Sequence, residues 1–384
     1  MNGETAPDSA PRAPEPRANP HFEGHSEAEA ELARAAASGR LHHAWLISGP
    51  RGVGKATLAF RFARFLLAGG TAESGPDLLG PESMPAAGLA VDPASPVFQR
   101  VASGGHADLF TLERGFMAEA RRRGDDPRNR RRSRDIVIED TRNAGAFFAR
   151  TALEGGWRIA IVDGAEDMNR NSANALLKTL EEPPPQGLLL LVSHAPGRLL
   201  PTIRSRCRRL TLGRLDDATV ENLMRRYRPD IGEAEVRPLA LIGEGSIGRA
   251  LQLADAGGLA LYEEMVRQLS GLPRPEVARL HGALDAIART RSPAGEFEAY
   301  DVFAELLTTW LARQVTARAR GLEPAEIMPG EGEVAARLAG RASLDQWVEV
   351  WEKITLLFGR AARLNLDRKQ VLLDAFFALG RTAA

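Results

Sequence analysis

The chain has 384 residues, 44% apolar and 26% charged, with 50 basic and 50 acidic side chains that cancel, which fits a soluble protein of two or three domains. Zero net charge means that any DNA contact must come from a local patch, and the single cysteine, Cys207, excludes an intramolecular disulfide or a multi-cysteine zinc site and fits a reducing cytoplasm. No apolar run reaches the roughly 20 residues that span a bilayer, and the polar, Pro-rich start lacks the apolar core of a signal peptide.

Residues 1–20 carry Pro7, Pro11, Pro14, Pro16 and Pro20 among small polar residues, a composition that predicts a disordered tail. Good helix formers and a candidate N-cap then predict a helix from Ser26 to about Ala37. The apolar strand LHHAWLIS runs into Gly49-Pro-Arg-Gly52-Val-Gly54-Lys55-Ala56-Thr57, and Leu58, Phe62, Phe65 and Leu66 give the following helix an apolar face. Strand, glycine loop and helix in this order form a phosphate-binding context. Gly49, Gly52 and Gly54 let the backbone turn its N–H groups toward a polyphosphate, the helix start adds a favourable field, and Lys55 reaches the outer phosphates. The pattern then asks for a hydroxyl that holds Mg²⁺, but the residue there is Ala56. Thr57 comes one residue late, about 100° further round the helix, and is a poor substitute.

Residues 69–107 are rich in Gly, Pro and Ser without periodicity, and Asp108–Leu112 reads as a strand. The basic run Arg121–Arg134, broken by Asp125, Asp126 and Pro127, is either a solvated insertion or a phosphate-contacting loop. Ile136–Ile138 leads into a helix through Phe148.

The stretch WRIAIVDGAEDMNRNSANALLKTLEEPPP, residues 157–185, organises the rest. Ile159–Val162 reads as a buried parallel strand that delivers Asp163 to the carboxyl edge of a sheet. Asn169 caps a helix with Ala173, Leu176, Leu177 and Leu180 on one face, and Pro183–Pro185 ends it. A second buried strand, Gly187–Val192, ends at Ser193, which either faces the γ-phosphate or caps the loop. Four arginines then crowd into Arg204-Ser-Arg206-Cys207-Arg208-Arg209.

These residues resemble bacterial clamp-loader subunits of the AAA+ class. HHAWLISGPRGVGK, ANALLKTLEEPP, Ser205-Arg206-Cys207 and Leu364-Asn-Leu-Asp-Arg-Lys369 carry the resemblance from about residue 22 to 376, the last favouring the stator type of subunit over the motor type. The fold it implies is a P-loop α/β core with a parallel sheet over 21–213, a small helical lid over 214–258 and an all-helical collar over 259–384. It implies a hetero-oligomeric, pentameric ring with gamma/tau motor subunits and a delta subunit, which loads a sliding clamp on primed DNA within the DNA polymerase III holoenzyme. Arg206 is similar to the arginine finger that one subunit extends into its neighbour's ATP site.

Departures from the active pattern agree with a subunit that does not hydrolyse ATP. Ala56 replaces the Mg²⁺-holding hydroxyl, and Gly164 stands where active members carry the water-activating glutamate. Gly245-Ser246-Ile247-Gly248-Arg249 resembles a sensor segment, with Arg249 one place late. The degenerate nucleotide site would comprise Gly49, Gly52, Gly54, Lys55, Thr57, Asp163, Ser193 and Arg249, with weak ATP or ADP binding and Mg²⁺ left open. Family members often carry a four-cysteine zinc module after the P-loop helix; residues 69–107 hold no cysteine and only His106, so no zinc is expected. The alternative is an ATP-hydrolysing motor that uses Lys55 and Asp163, with Glu166 or a water network in place of the missing glutamate.

The remaining sequence predicts helices broken near Pro229 and at Gly243 and Gly245. Val302, Leu306, Leu307 and Trp310 form one apolar face, Ser343 and Gln346 have capping-box spacing, and Trp347, Val350, Trp351, Ile354 and Phe358 continue a stripe.

Overall fold

A computed structural model of the chain describes residues 13–70, 88–113, 145–149, 152–153, 156–290 and 298–384. Two units divide it, Met1–Thr219 with Gly245–Gly248, and Val220–Glu244 with Arg249–Ala384. The basic run at 121–134 and the apolar residues Ile136–Ile138 lie outside the described residues.

In the first unit the elements run α1 (Ser26–Ala37), β1 (Ala44–Ser48), α2 (Lys55–Leu67), α3 (Pro96–Ala102), β2 (Leu109–Leu112), β3 (Arg158–Asp163), α4 (Arg170–Glu181), β4 (Gly187–Ser193), α5 (Pro201–Arg204) and β5 (Arg208–Thr211). All strand pairs are parallel, in the order β2-β3-β4-β1-β5. Strands buried on both faces need apolar residues at every position, which is why β1, β3 and β4 read as unbroken apolar runs. Successive residues still part to opposite faces. Trp45, Ile47, Ile159, Ile161, Leu188 and Leu190 join a core with Leu32, Leu58 and Phe62, while Leu46, Ala160, Val162, Leu189 and Leu191 join another with Leu176, Leu180 and Ile203. α4 begins as the sequence predicts, with the Asn169 side chain accepting the Ser172 N–H at 2.9 Å.

Two expectations at the amino end need correction. The disordered tail does not extend through residues 13–20. The guanidinium of Arg64, 1% exposed on α2, donates to the carbonyls of Arg17 at 2.8 Å and Asn19 at 2.7 Å, and Arg61 donates to Pro20 O at 2.9 Å. Composition overlooked this because the anchoring groups are backbone carbonyls, which any sequence offers. α1 also lacks a side-chain cap; His25 stands at its N-cap and turns Nε2 to the Val53 carbonyl at 3.0 Å.

In the second unit, α6 (Asp217–Tyr227) continues from the first and is followed by α7 (Glu233–Ile242), with breaks on either side of Pro229 and at Gly243, as the sequence predicts. α8 (Ile247–Asp255), α9 (Gly258–Ser270), α10 (Val277–Arg289), α11 (Ala299–Ala319), α12 (Glu331–Ala339), α13 (Leu344–Leu364) and α14 (Arg368–Thr382) follow. Val302, Leu306, Leu307 and Trp310 are buried on α11, and the Ser343–Gln346 capping box is formed. Of the stripe on α13, Trp347, Val350 and Ile354 are buried while Trp351 and Phe358 are only partly so. The LNLDRK segment links α13 to α14. Asn365 takes the left-handed conformation that ends α13, Asp367 caps α14, and Lys369 pairs with Asp285 at 3.1 Å.

Candidate nucleotide site and arginine turn

The sheet brings the carboxyl ends of β1, β3 and β4 side by side, the crevice where open parallel sheets bind ligands. Ser48 is in register with Ser193, and Asp163 with Val192. The glycine loop leaves β1 with Gly49, Gly52 and Gly54 at φ 144°, 72° and 99°, a backbone that side chains rarely adopt. At Gly49 the space is closed as well, since a Cβ would stand 2.2 Å from the Leu212 carbonyl oxygen.

Lys55 opens α2, 7% exposed, and donates to the Pro50 carbonyl across the loop. Burial pulls its pKa below the ordinary lysine range and Arg51 adds to this, while the carboxylates of Glu166 and Asp163 act against it. Ala56 and Thr57 follow, both partly buried. The loop and Lys55 fit a polyphosphate. Magnesium fits less well, because Ala56 offers no oxygen and Asp163 is left as the carboxylate at the strand end.

The turn after β3 differs from the expected spare glutamate. Gly164 adopts φ 80° and opens a short 3₁₀ turn, Ala165–Asp167, that buries Glu166 to 5% exposure. Glu166 Oε1 accepts the His194 backbone N–H at 3.0 Å and also meets the imidazole Nδ1, while Oε2 is buried without a hydrogen-bond partner among the described residues. This carboxylate ties the end of β3 to the loop after β4. Ser193, 1% exposed, accepts the Ala195 N–H at 3.2 Å and so caps that loop.

Two contacts on the glycine loop escaped sequence reading. Ser246 Oγ donates to the Arg51 carbonyl at 2.8 Å, and Gly248 N–H donates to Gly52 O at 2.9 Å. A Cβ at Gly248 would stand 2.8 Å from Gly52 Cα, so glycine is what permits this approach. Arg249 belongs to the second unit, where it pairs with Glu244 at 3.0 Å and Glu305 at 2.9 Å and donates to Thr309 at 2.9 Å.

Beyond β4, α5 leads into the arginine turn. Cys207 is buried and its thiol is pushed up to about 12, mainly by burial. Arg206, beside it, keeps 37% of its side chain exposed, pairs with Glu181 at 2.9 Å and donates to the Thr202 carbonyl at 3.1 Å. Arg208 lies over the Trp45 ring at 4.7 Å and pairs with Glu31 at 2.9 Å.

His106, the lone histidine of residues 69–107, is 4% exposed and accepts the Asp108 N–H on Nδ1 at 3.2 Å. No described helix is long and apolar enough to cross a membrane.

Strand order, glycine loop and the acid on a nearby strand end define a P-loop α/β core on a five-stranded parallel sheet. More narrowly, residues 24–216, half of the chain, match the family described as DNA polymerase III, delta subunit, and the chain belongs to that family. It is 33% identical to DNA polymerase III subunit delta' of Pseudomonas aeruginosa over 62% of this chain and 63% of that one. It is 28% identical to subunit gamma/tau of Mycobacterium tuberculosis over 85% of this chain and 55% of that one. The chain thus spans less than two thirds of these relatives. It also resembles a solved DNA polymerase III, gamma subunit-related protein of Thermotoga maritima at 15% identity and a TM-score of 0.39, over 94% of this chain and 100% of that one.

Proposed function

We propose that the chain is a delta-prime-type clamp-loader subunit: a largely non-hydrolysing stator that donates Arg206 to the ATP site of a neighbouring subunit. The observation that carries this reading is a partly exposed arginine on a buried cysteine turn, in a chain whose own site has Ala56 for the metal-holding hydroxyl and Gly164 for the base. An arginine supplied across an interface stabilises charge on the transferred phosphoryl group, an effect of about 10³–10⁵ in rate where measured for GTPases. The home loop binds ATP or ADP weakly through Lys55 and the glycine-loop amides and serves assembly. In this reading the neighbours are gamma/tau motor subunits and a delta subunit in a five-membered cytoplasmic ring, acting on a sliding clamp and primed DNA. The regions 214–258 and 259–384 serve as lid and collar.

The motor alternative needs Glu166 or a water network in place of the missing glutamate, and Glu166 already spends one oxygen on His194. DNA-stimulated ATP turnover of the reconstituted loader decides between the two. Arg206→Ala lowers turnover while the isolated chain keeps its melting temperature; unchanged turnover overturns the finger reading. Magnesium-dependent turnover by the isolated chain that Lys55→Ala abolishes establishes the motor instead.

A further inference from the structure

We propose that Glu181 is a positioning residue for Arg206, holding its guanidinium in the orientation in which it meets a neighbouring subunit's phosphates. This rests on the finger reading of Arg206. The two residues lie 25 positions apart in sequence and meet at 2.9 Å, on Nη2, while Nη1 is held from the other side by the Thr202 carbonyl at 3.1 Å.

The backbones that carry the pair are fixed from within. Leu180, next to Glu181, and Cys207, next to Arg206, are both buried in one apolar cluster together with Ile203 of α5. The side chains therefore meet on the surface above a shared core, which fixes the backbone positions from which they reach each other. An arginine on a loose turn would have to be ordered anew in every catalytic cycle; here that ordering is done within the chain. The two anchors leave the remaining N–H donors of the planar fork for phosphate oxygens.

Glu181 is also the last residue of α4, with Glu182 after it. The carbonyl end of a helix disfavours carboxylates, so this placement works against the helix itself. Departures from a local rule are expected where function requires them, and the partner that offsets this one is Arg206. The pair is half exposed, and pairs of that kind are weak, so Glu181 orients the guanidinium without withholding it from a more highly charged triphosphate.

The test uses the reconstituted loader and reads the Arg206-dependent part of ATP turnover, the difference between the wild-type and Arg206→Ala complexes. Glu181→Ala lowers that part about two- to five-fold, the range that a weak exposed pair spans. The loss falls on kcat with KM for ATP unchanged, because the contact matters where charge develops. Glu181→Asp recovers part of it, and Glu181→Ala changes nothing further in the Arg206→Ala background. The melting temperature of the isolated variant stays at the wild-type value, which separates positioning from folding. Wild-type or raised turnover in Glu181→Ala overturns the proposal while Arg206→Ala still shows a defect. If Arg206→Ala itself has no defect, the finger reading fails and takes this one with it.

Discussion

Asp167 Oδ2 lies 2.9 Å from the point that a Cβ on Gly164 would occupy, and Gly164 itself sits at φ 80°. The position where the resemblance places a catalytic glutamate thus has a backbone that side chains rarely adopt, and a side chain there would also have to displace the Asp167 carboxylate. Gly164→Glu is expected to cost about 1–2 kcal/mol for the left-handed backbone alone. It is also expected to leave the isolated chain without ATP turnover, since the new side chain enters a turn shaped for glycine. Denaturant midpoints and magnesium-ATP turnover check this together. A variant as stable as the wild type that hydrolyses ATP would show that the turn relaxes around a side chain.

Arg64 is the link between α2 and the segment before α1. Its side chain serves the carbonyls of Arg17 and Asn19 and lies over the Phe98 ring at 4.4 Å. Arg64→Met keeps most of the volume and removes both charge-assisted bonds, leaving the carbonyl of buried Asn19 without this donor. The expected loss is about 2–4 kcal/mol. Limited proteolysis is the sharper measurement, since cleavage between residues 13 and 25 should speed up before the sheet core is attacked.

Much of the core was legible because its signals are local. The apolar runs of β1, β3 and β4, the Asn169 cap and the Ser343–Gln346 box each lie within a few residues of one another, and each forms as read. The site was legible where the backbone carries it, in the loop at Gly49, Gly52 and Gly54. It was not legible where side chains from distant segments meet. Glu166 looked like a spare base, yet its carboxylate is committed to His194, 28 residues on. Ser246 and Gly248 close on the glycine loop nearly two hundred residues away in sequence. The anchoring of residues 13–20 was hidden for the same reason, as Arg64 binds carbonyls that composition does not report.

Cys207 follows from burial. With 9% exposure and a thiol pushed up to about 12 by burial, the thiolate that reacts with alkylating reagents should be far scarcer at neutral pH than in a free cysteine. The native chain should therefore resist iodoacetamide, and the same chain in denaturant should be labelled at the rate of a free thiol. Because Cys207 packs with Leu180 and Ile203, Cys207→Ser places a hydroxyl in an apolar cluster and should cost about 1–3 kcal/mol. Rapid labelling in the native state would show that the arginine turn opens.

Folding of the second unit should depend strongly on the buried carboxylate of Glu331. Glu331, 2% exposed at the start of α12, accepts the Tyr262 hydroxyl at 2.7 Å, the Trp310 indole N–H at 3.0 Å and the backbone N–H groups of Ile327 at 2.9 Å and Met328 at 3.3 Å. Arg313 lies 3.8 Å from the same carboxylate and compensates part of its charge. Burial, reinforced by Glu331, raises the pKa of Tyr262, so the phenol remains a donor throughout the ordinary pH range. Glu331→Leu keeps the volume but strands an indole, a phenol and two amides in an apolar interior, and should cost about 3–5 kcal/mol. Glu331→Gln keeps one acceptor oxygen but turns an amide donor toward donors, and should cost less. Urea unfolding followed by tryptophan fluorescence checks both, because Trp310, Trp347 and Trp351 lie in this unit and Trp45 and Trp157 in the other. In Glu331→Leu the transition reported by the second unit should move to lower urea. Wild-type midpoints in Glu331→Leu would mean that water or a rearranged Arg313 can satisfy the four donors in the carboxylate's place.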